Sequence, residues 1–168
     1  MKLRAKQDRY HRIYKQLQEL LTRTADPVAR MATIVALLHH KMEHFFWTGF
    51  YRLVNGELTV GPYQGPLACQ VLARDQGVCW AGINREESLI VDDVEQFPGH
   101  IPCDARSRSE VVIPLRTADG TVVGVLDVDS DGLAAFDEVD RVGLERIVTL
   151  VFPSATLGEA AALFREKT

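Results

Sequence analysis

The chain has 168 residues, 46% of them hydrophobic and 25% charged, with a formal net charge of −4 and a pI near 5.7. That composition suits one soluble globular domain with a full core, and it excludes disordered and collagen-like classes. The acidic balance also argues against a general nucleic-acid binder, which carries a basic stripe. Charges recur every few residues in MKLRAKQDRYHRIYKQ, and no run is long enough to span a bilayer. A cytoplasmic protein whose partners are small molecules or other proteins, with no membrane segment, is therefore expected.

Tyr10, Ile13, Tyr14, Leu17, Leu20 and Leu21 recur at helical spacing with Lys, Arg, Gln and Glu on the other face, which predicts an amphipathic helix ending near residues 22–24. Asp26 and Pro27 then provide an N-cap and a first-turn proline for a second, more buried helix through Met31, Ile34, Val35, Leu37 and Leu38. From Phe45 the texture becomes aromatic and β-branched: FFWTGFYRLV, the turn Asn55-Gly56, and the returning ELTVGPY predict a β-hairpin. ACQVLA, SLIVDD, EVVIPLRT and TVVGVLDVDS are further strand candidates, with Asp119-Gly120 as a second tight hairpin and a short turn or helix carrying Cys79 between the first two. FDEVDRVGLERIVTLV, capped by Asp137 and stopped by Pro153, predicts a third long helix with Val139, Val142, Leu144, Ile147, Val148 and Val151 on its apolar side. TLGEAAALFREKT predicts a short terminal helix. The expected class is α+β: an antiparallel sheet with N- and C-terminal helices packed on one face, in one domain over residues 1–168. Its helical segment covers about 3–43, its sheet core about 45–130 and its C-terminal helix about 136–152.

The three cysteines, Cys69, Cys79 and Cys103, each lie beside Gly or Pro rather than inside an apolar run. Thiols next to turns are accessible, and accessibility with a stabilised thiolate separates reactive cysteine from inert; the alternative is three small buried hydrophobes. In a reducing compartment a disulfide among them is a reaction step rather than a staple. The cysteines are spaced without any C-x-x-C pair, which argues against a structural zinc site. Cys103 falls in the longest connection, about residues 92–109, rich in Gly, Pro, His, Asp, Arg and Ser; loops of that length tend to bind or catalyse. His100, Arg106 and Arg108 flank Cys103 and are placed to lower its pKa, unless they are simply solvated.

The order WTGFYRL, GPYQG, AC, GVC, DV-x-x-FPGHI-x-CD, SE-V-V-x-PL, GVLDVDS and FDEVD resembles the free methionine-(R)-sulfoxide reductases, a catalytic branch of the GAF domain superfamily, over about residues 47–151. The resemblance implies a GAF-like sheet and reduction of free L-methionine-(R)-sulfoxide to methionine. It implies Cys103 as the nucleophile that becomes a sulfenic acid, and Cys69 as the resolving thiol that closes a disulfide recycled by thioredoxin or glutaredoxin. Cys79 corresponds to the auxiliary cysteine, with substrate positioning and passing on of the disulfide both open as roles. Trp80 departs from the small residue usual after GVC, and a bulky indole there is expected to narrow the pocket, move the loop or alter the recycling partner. No cofactor or metal is implied, and a homodimer through the terminal helices is.

A sulfoxide yields to a thiolate only if its oxygen is protonated or stabilised, and Glu110, Asp127 and Asp129 are the matching carboxyl groups. Asp127 and Asp129 are two apart on one strand, hence on one face, where mutual repulsion should raise at least one pKa; alone, D-x-D reads more often as a solvent-facing alternation. They also suit the ammonium of a free amino acid. Trp47 and Tyr51, four apart on one strand face, can wall the pocket and contact the methyl-sulfur end of the substrate, or simply pack in the core. Two other functions fit the same chain: a non-catalytic GAF sensor of a small ligand, and a general thiol peroxidase.

Overall fold

The computed structural model describes residues 3–100 and 103–153. Two helices, α1 (Leu3–Leu20) and α2 (Pro27–Lys41), precede strands β1 (Trp47–Val54), β2 (Glu57–Gln64) and the very short β3 (Val71–Leu72). Helix α3 (Gly77–Arg85), β4 (Leu89–Val91), β5 (Ser109–Arg116), β6 (Val122–Ser130) and α4 (Glu138–Val148) follow. The expected terminal helix in TLGEAAALFREKT lies outside the described residues.

The local signals act as the residues require. The Asp26 side chain accepts from the Ala29 amide and Pro27 opens α2. Asp137 closes a reciprocal capping box with Asp140 at the start of α4. Asn55 and Gly56 both take positive φ, as the two-residue turn between β1 and β2 demands. Asp119-Gly120 does not make such a turn. Five residues separate Arg116 from Val122, and the loop is closed by a Thr117 to Thr121 backbone bond and by Asp119 accepting from Thr117 Oγ1 and the Thr121 amide. ACQVLA yields only the two residues of β3, paired with Thr59 and Leu58, with one more bond from the Val60 amide to the Gln70 carbonyl.

All strand pairs are antiparallel, in the order β3-β2-β1-β6-β5-β4. One face carries Phe50, Val111, Ile113, Leu115, Leu126 and Val128 into a core shared with α1, α2 and α4. Helix α2 lies on β1 and β2, and α4 lies on β5; α1 packs chiefly against these two helices rather than against the sheet. The N- and C-terminal helices thus share one face as expected, while α3 covers the other, packing Val78, Cys79 and Trp80 against Tyr51, Val112 and Val125. Three further readings change. Leu20 and Val142, expected on apolar stripes, are about half exposed, and Lys6, expected on the polar face of α1, is buried against Asp140. No described helix is long and apolar enough to cross a membrane.

Candidate active site

The β1–β6 and β5–β6 registers build the site. Trp47 pairs with Asp129, which pairs in turn with Glu110; Gly49 pairs with Asp127, and Tyr51 with Val125. Because side chains alternate along a strand, Trp47, Gly49 and Tyr51 share a face with Asp127 and Asp129. Two aromatic residues and three carboxyl groups from three strands thus meet under α3 and the connections that follow β2 and β4. They line a cavity of about 250 Å³, which also takes Phe46, Cys69, Cys79, His100, Cys103 and Ser107 into its wall. Among the described residues no lysine or arginine lines it. The volume is below the roughly 300–1,000 Å³ of pockets for drug-sized ligands, so the cavity suits a small metabolite.

Trp47 lies between Tyr51 and Tyr63, with ring centroids 5.8 and 5.5 Å away and both pairs stacked. Gly49 makes this possible: a Cβ there would fall 2.4 Å from the Trp47 ring and 2.5 Å from Tyr63 Cβ. The polar tips of both wall residues hold the connection that bears Cys69. Tyr51 Oη donates to the Cys69 carbonyl at 3.1 Å, and Trp47 Nε1 donates to the Pro66 carbonyl at 3.2 Å. Trp47 and Tyr51 are thus buried core residues and cavity wall at once.

Cys69 and Cys103 are joined by a disulfide, with Cα atoms 5.6 Å apart. It ties the connection after β2 to the loop before β5 over the cavity. Cys103 is exposed and Cys69 half-buried, so the bond is within reach of another molecule. Cys79 differs from the expectation of an accessible thiol beside a turn: it is free, buried in the first turn of α3, and its Sγ lies 3.9 Å from Glu110 Oε1. Burial, and then the charges of Asp127 and Glu110, push its thiol well up.

The carboxyl groups are not a solvent-facing alternation. Glu110 and Asp127 are buried and Asp129 is partly buried. Burial, more than repulsion, raises all three: Glu110 and Asp127 go well above the ordinary carboxylate range, with Asp129 next among the causes for Asp127. Asp129 rises to about 6, restrained by the hydroxyl of Ser107, which donates to its Oδ1. Ser107 escaped the sequence reading, since nothing local marks it; it reaches Asp129 because its loop folds back over β6, the Arg108 amide donating to the Ser130 carbonyl.

The basic residues around Cys103 do not form the expected positive shell. Arg106 bonds Asp104 at 2.7 and 3.0 Å and lies over the Phe46 ring, 4.7 Å from its centroid. His100 lines the cavity, but burial lowers its pKa, which favours the neutral imidazole. Arg108 does not line the cavity. Trp80 does not narrow it either: the indole packs away among the residues under α3 and donates to the Leu72 carbonyl at 3.4 Å, pinning β3.

A sheet of this order with helices on both faces, holding a small acidic cavity between its strands and the loops after β2 and β4, is a ligand-pocket domain of one known family. Residues 13–151 match the GAF domain family, to which the chain belongs. Within that family it groups with proteins that include free methionine-R-sulfoxide reductases. The Escherichia coli protein of that name is 35% identical over 139 residues, covering 83% of this chain and 84% of the relative. GAF domain-containing protein A of Dictyostelium discoideum is 43% identical, covering 88% and 92%. The X-ray structure of free methionine-R-sulfoxide reductase from Neisseria meningitidis in complex with its substrate superposes with a TM-score of 0.80 at 38% identity, covering 84% of this chain and 85% of that one.

Proposed function

We propose that this protein reduces free L-methionine-(R)-sulfoxide to L-methionine, with Cys103 and Cys69 as its redox pair. The observation that carries the reading is the Cys69–Cys103 disulfide set over a small cavity whose inner wall is acidic and whose side is aromatic. Relatives named for this activity, one of them solved with its substrate, support it.

In the reduced protein the Cys103 thiolate attacks the sulfoxide sulfur. A proton from Glu110, whose buried carboxyl holds it more firmly than an exposed one would, meets the sulfoxide oxygen as charge builds on it. Oxygen passes to Cys103 as a sulfenic acid, and methionine leaves with the electron pair. The Cys69 thiol then attacks the Cys103 sulfur, expels water and forms the disulfide. Thioredoxin or glutaredoxin returns two electrons to that exposed bond. Trp47 and Tyr51 take the methyl-sulfur end, and Asp127 and Asp129 take the ammonium. Cys79, a free thiol buried beside Glu110, is better placed to shape the cavity than to pass electrons on.

The test is to incubate the reduced protein with free L-methionine-(R,S)-sulfoxide, thioredoxin, thioredoxin reductase and NADPH and to resolve the remaining epimers. The R epimer is consumed and the S epimer persists; loss of neither epimer, or turnover of hydrogen peroxide instead, removes this function. Cys103→Ser abolishes turnover with the fold intact, and substantial activity in that variant would take the nucleophile's role from Cys103.

A further inference from the structure

Three side chains on the inner wall of the cavity form a set of ligands that cysteine spacing alone could not show. Cys79 Sγ and one carboxylate oxygen each from Glu110 and Asp127 all lie within 4.8 Å of one another, and all three residues are buried. They come from α3, β5 and β6, so no sequence motif joins them. Asp127 is only 7% exposed, lines the cavity, and its Oδ1 has no hydrogen-bond partner. Among the described residues no lysine or arginine lines the cavity, so an ionised Asp127 would meet no basic side chain there. A buried carboxyl of this kind ionises readily only beside a cation, and an ammonium is one such partner.

We propose that, without substrate, the cavity binds one thiophilic divalent cation, zinc being the representative, through Cys79, Glu110 and Asp127. The fourth position is left to water. Zinc takes sulfur at about 2.3 Å and carboxylate oxygen at about 2.0–2.2 Å in a tetrahedron, which sets its ligands roughly 3.3–3.7 Å apart. The 3.9 Å between Cys79 Sγ and Glu110 Oε1 is close to that, and all three ligand atoms, within 4.8 Å of one another, would draw together around the ion. One thiolate in the set selects zinc over magnesium or calcium, which prefer all-oxygen cages. Resting on the reductase reading is one consequence: the cation and the ammonium of the substrate compete for Asp127, making zinc a reversible competitive inhibitor.

The binding test needs no turnover. In the disulfide form, Cys79 is the remaining thiol, so cobalt(II) added to it reports only this site. The expected result is one equivalent of cobalt with a sulfur-to-cobalt charge-transfer band, displaced by zinc and not by magnesium. Cys79→Ser removes the band, and Cys79→Ser and Asp127→Asn each weaken zinc binding in equilibrium dialysis at least tenfold; Glu110→Gln repeats the measurement should either variant fail to fold. No stoichiometric binding, or binding that survives these substitutions unchanged, overturns the site while leaving the reductase assay untouched. Zinc inhibition that added free methionine sulfoxide does not relieve overturns the competition.

Discussion

Asp129 shows how burial turns an ordinary carboxyl into a pH-dependent element. It titrates near 6 in the fold against about 4 in an unfolded chain, so between those values the fold holds a proton that the unfolded chain has released. Stability must then fall as pH rises from about 4 to 6, and Glu110 and Asp127, pushed the same way, extend the fall upward. Asp140 is lowered on balance, because bonds from His44, Lys6 and Tyr10 outweigh its burial, so its contribution is lost only below about pH 4. The substrate-free protein should melt at a higher temperature at pH 5.5 than at pH 7.5, and Asp127→Asn should flatten the difference; a wild-type melting curve independent of pH would contradict this. Cys69→Ser should release about one equivalent of methionine in a single turnover and then stall with thioredoxin, since the sulfenic acid lacks its resolving thiol. Normal cycling in that variant, followed by NADPH consumption, would move the resolving role to Cys79.

At the scale of elements, the connection that leads into β5 brings Ser107 to Asp129 as well as Cys103 to Cys69. The Ser107 hydroxyl favours the ionised form of Asp129, so Ser107→Ala should move the acid limb of substrate binding to higher pH, read as the pH dependence of KM. An unshifted limb would make the contact purely structural. Helices α1, α2 and α4, their caps and the β1–β2 hairpin were legible because each rests on neighbouring residues: Asp26 before Pro27, the Asp137 cap, Asn55-Gly56. The carboxyls and aromatics of the site were legible by resemblance and by strand alternation. What brings them together was not, since the β1–β6 pairing that sets Trp47 beside Asp129 joins residues far apart in sequence. The same non-local packing buries Cys79 and turns Trp80 away from the cavity, which a motif reading of GVC could not foresee.

At the scale of the molecule, α1 is tied to α4 by a buried polar cluster remote from the cavity. Lys6 Nζ contacts Asp140 and also Asp137 at 3.0 Å, and Tyr10 Oη donates to Asp140 at 2.8 Å. Asp140→Asn leaves Lys6 buried with a weaker partner and opens the capping box, and should cost about 2–4 kcal/mol in denaturant unfolding, near the range for breaking a buried ion pair. Activity measured well below the melting temperature should be unchanged; an equal loss of kcat/KM would mean the cluster reaches the site. The proposed function requires the cavity to take a free amino acid, with carboxylates on its inner wall facing the ammonium. An acylated nitrogen carries no such charge and leaves those groups uncompensated, a penalty on the order of 3–5 kcal/mol or a hundredfold and more in preference. The direct measurement is the ratio of kcat/KM for free L-methionine-(R)-sulfoxide to that for its N-acetylated, C-amidated derivative: at least a hundredfold in favour of the free amino acid is expected, and comparable values would contradict the account.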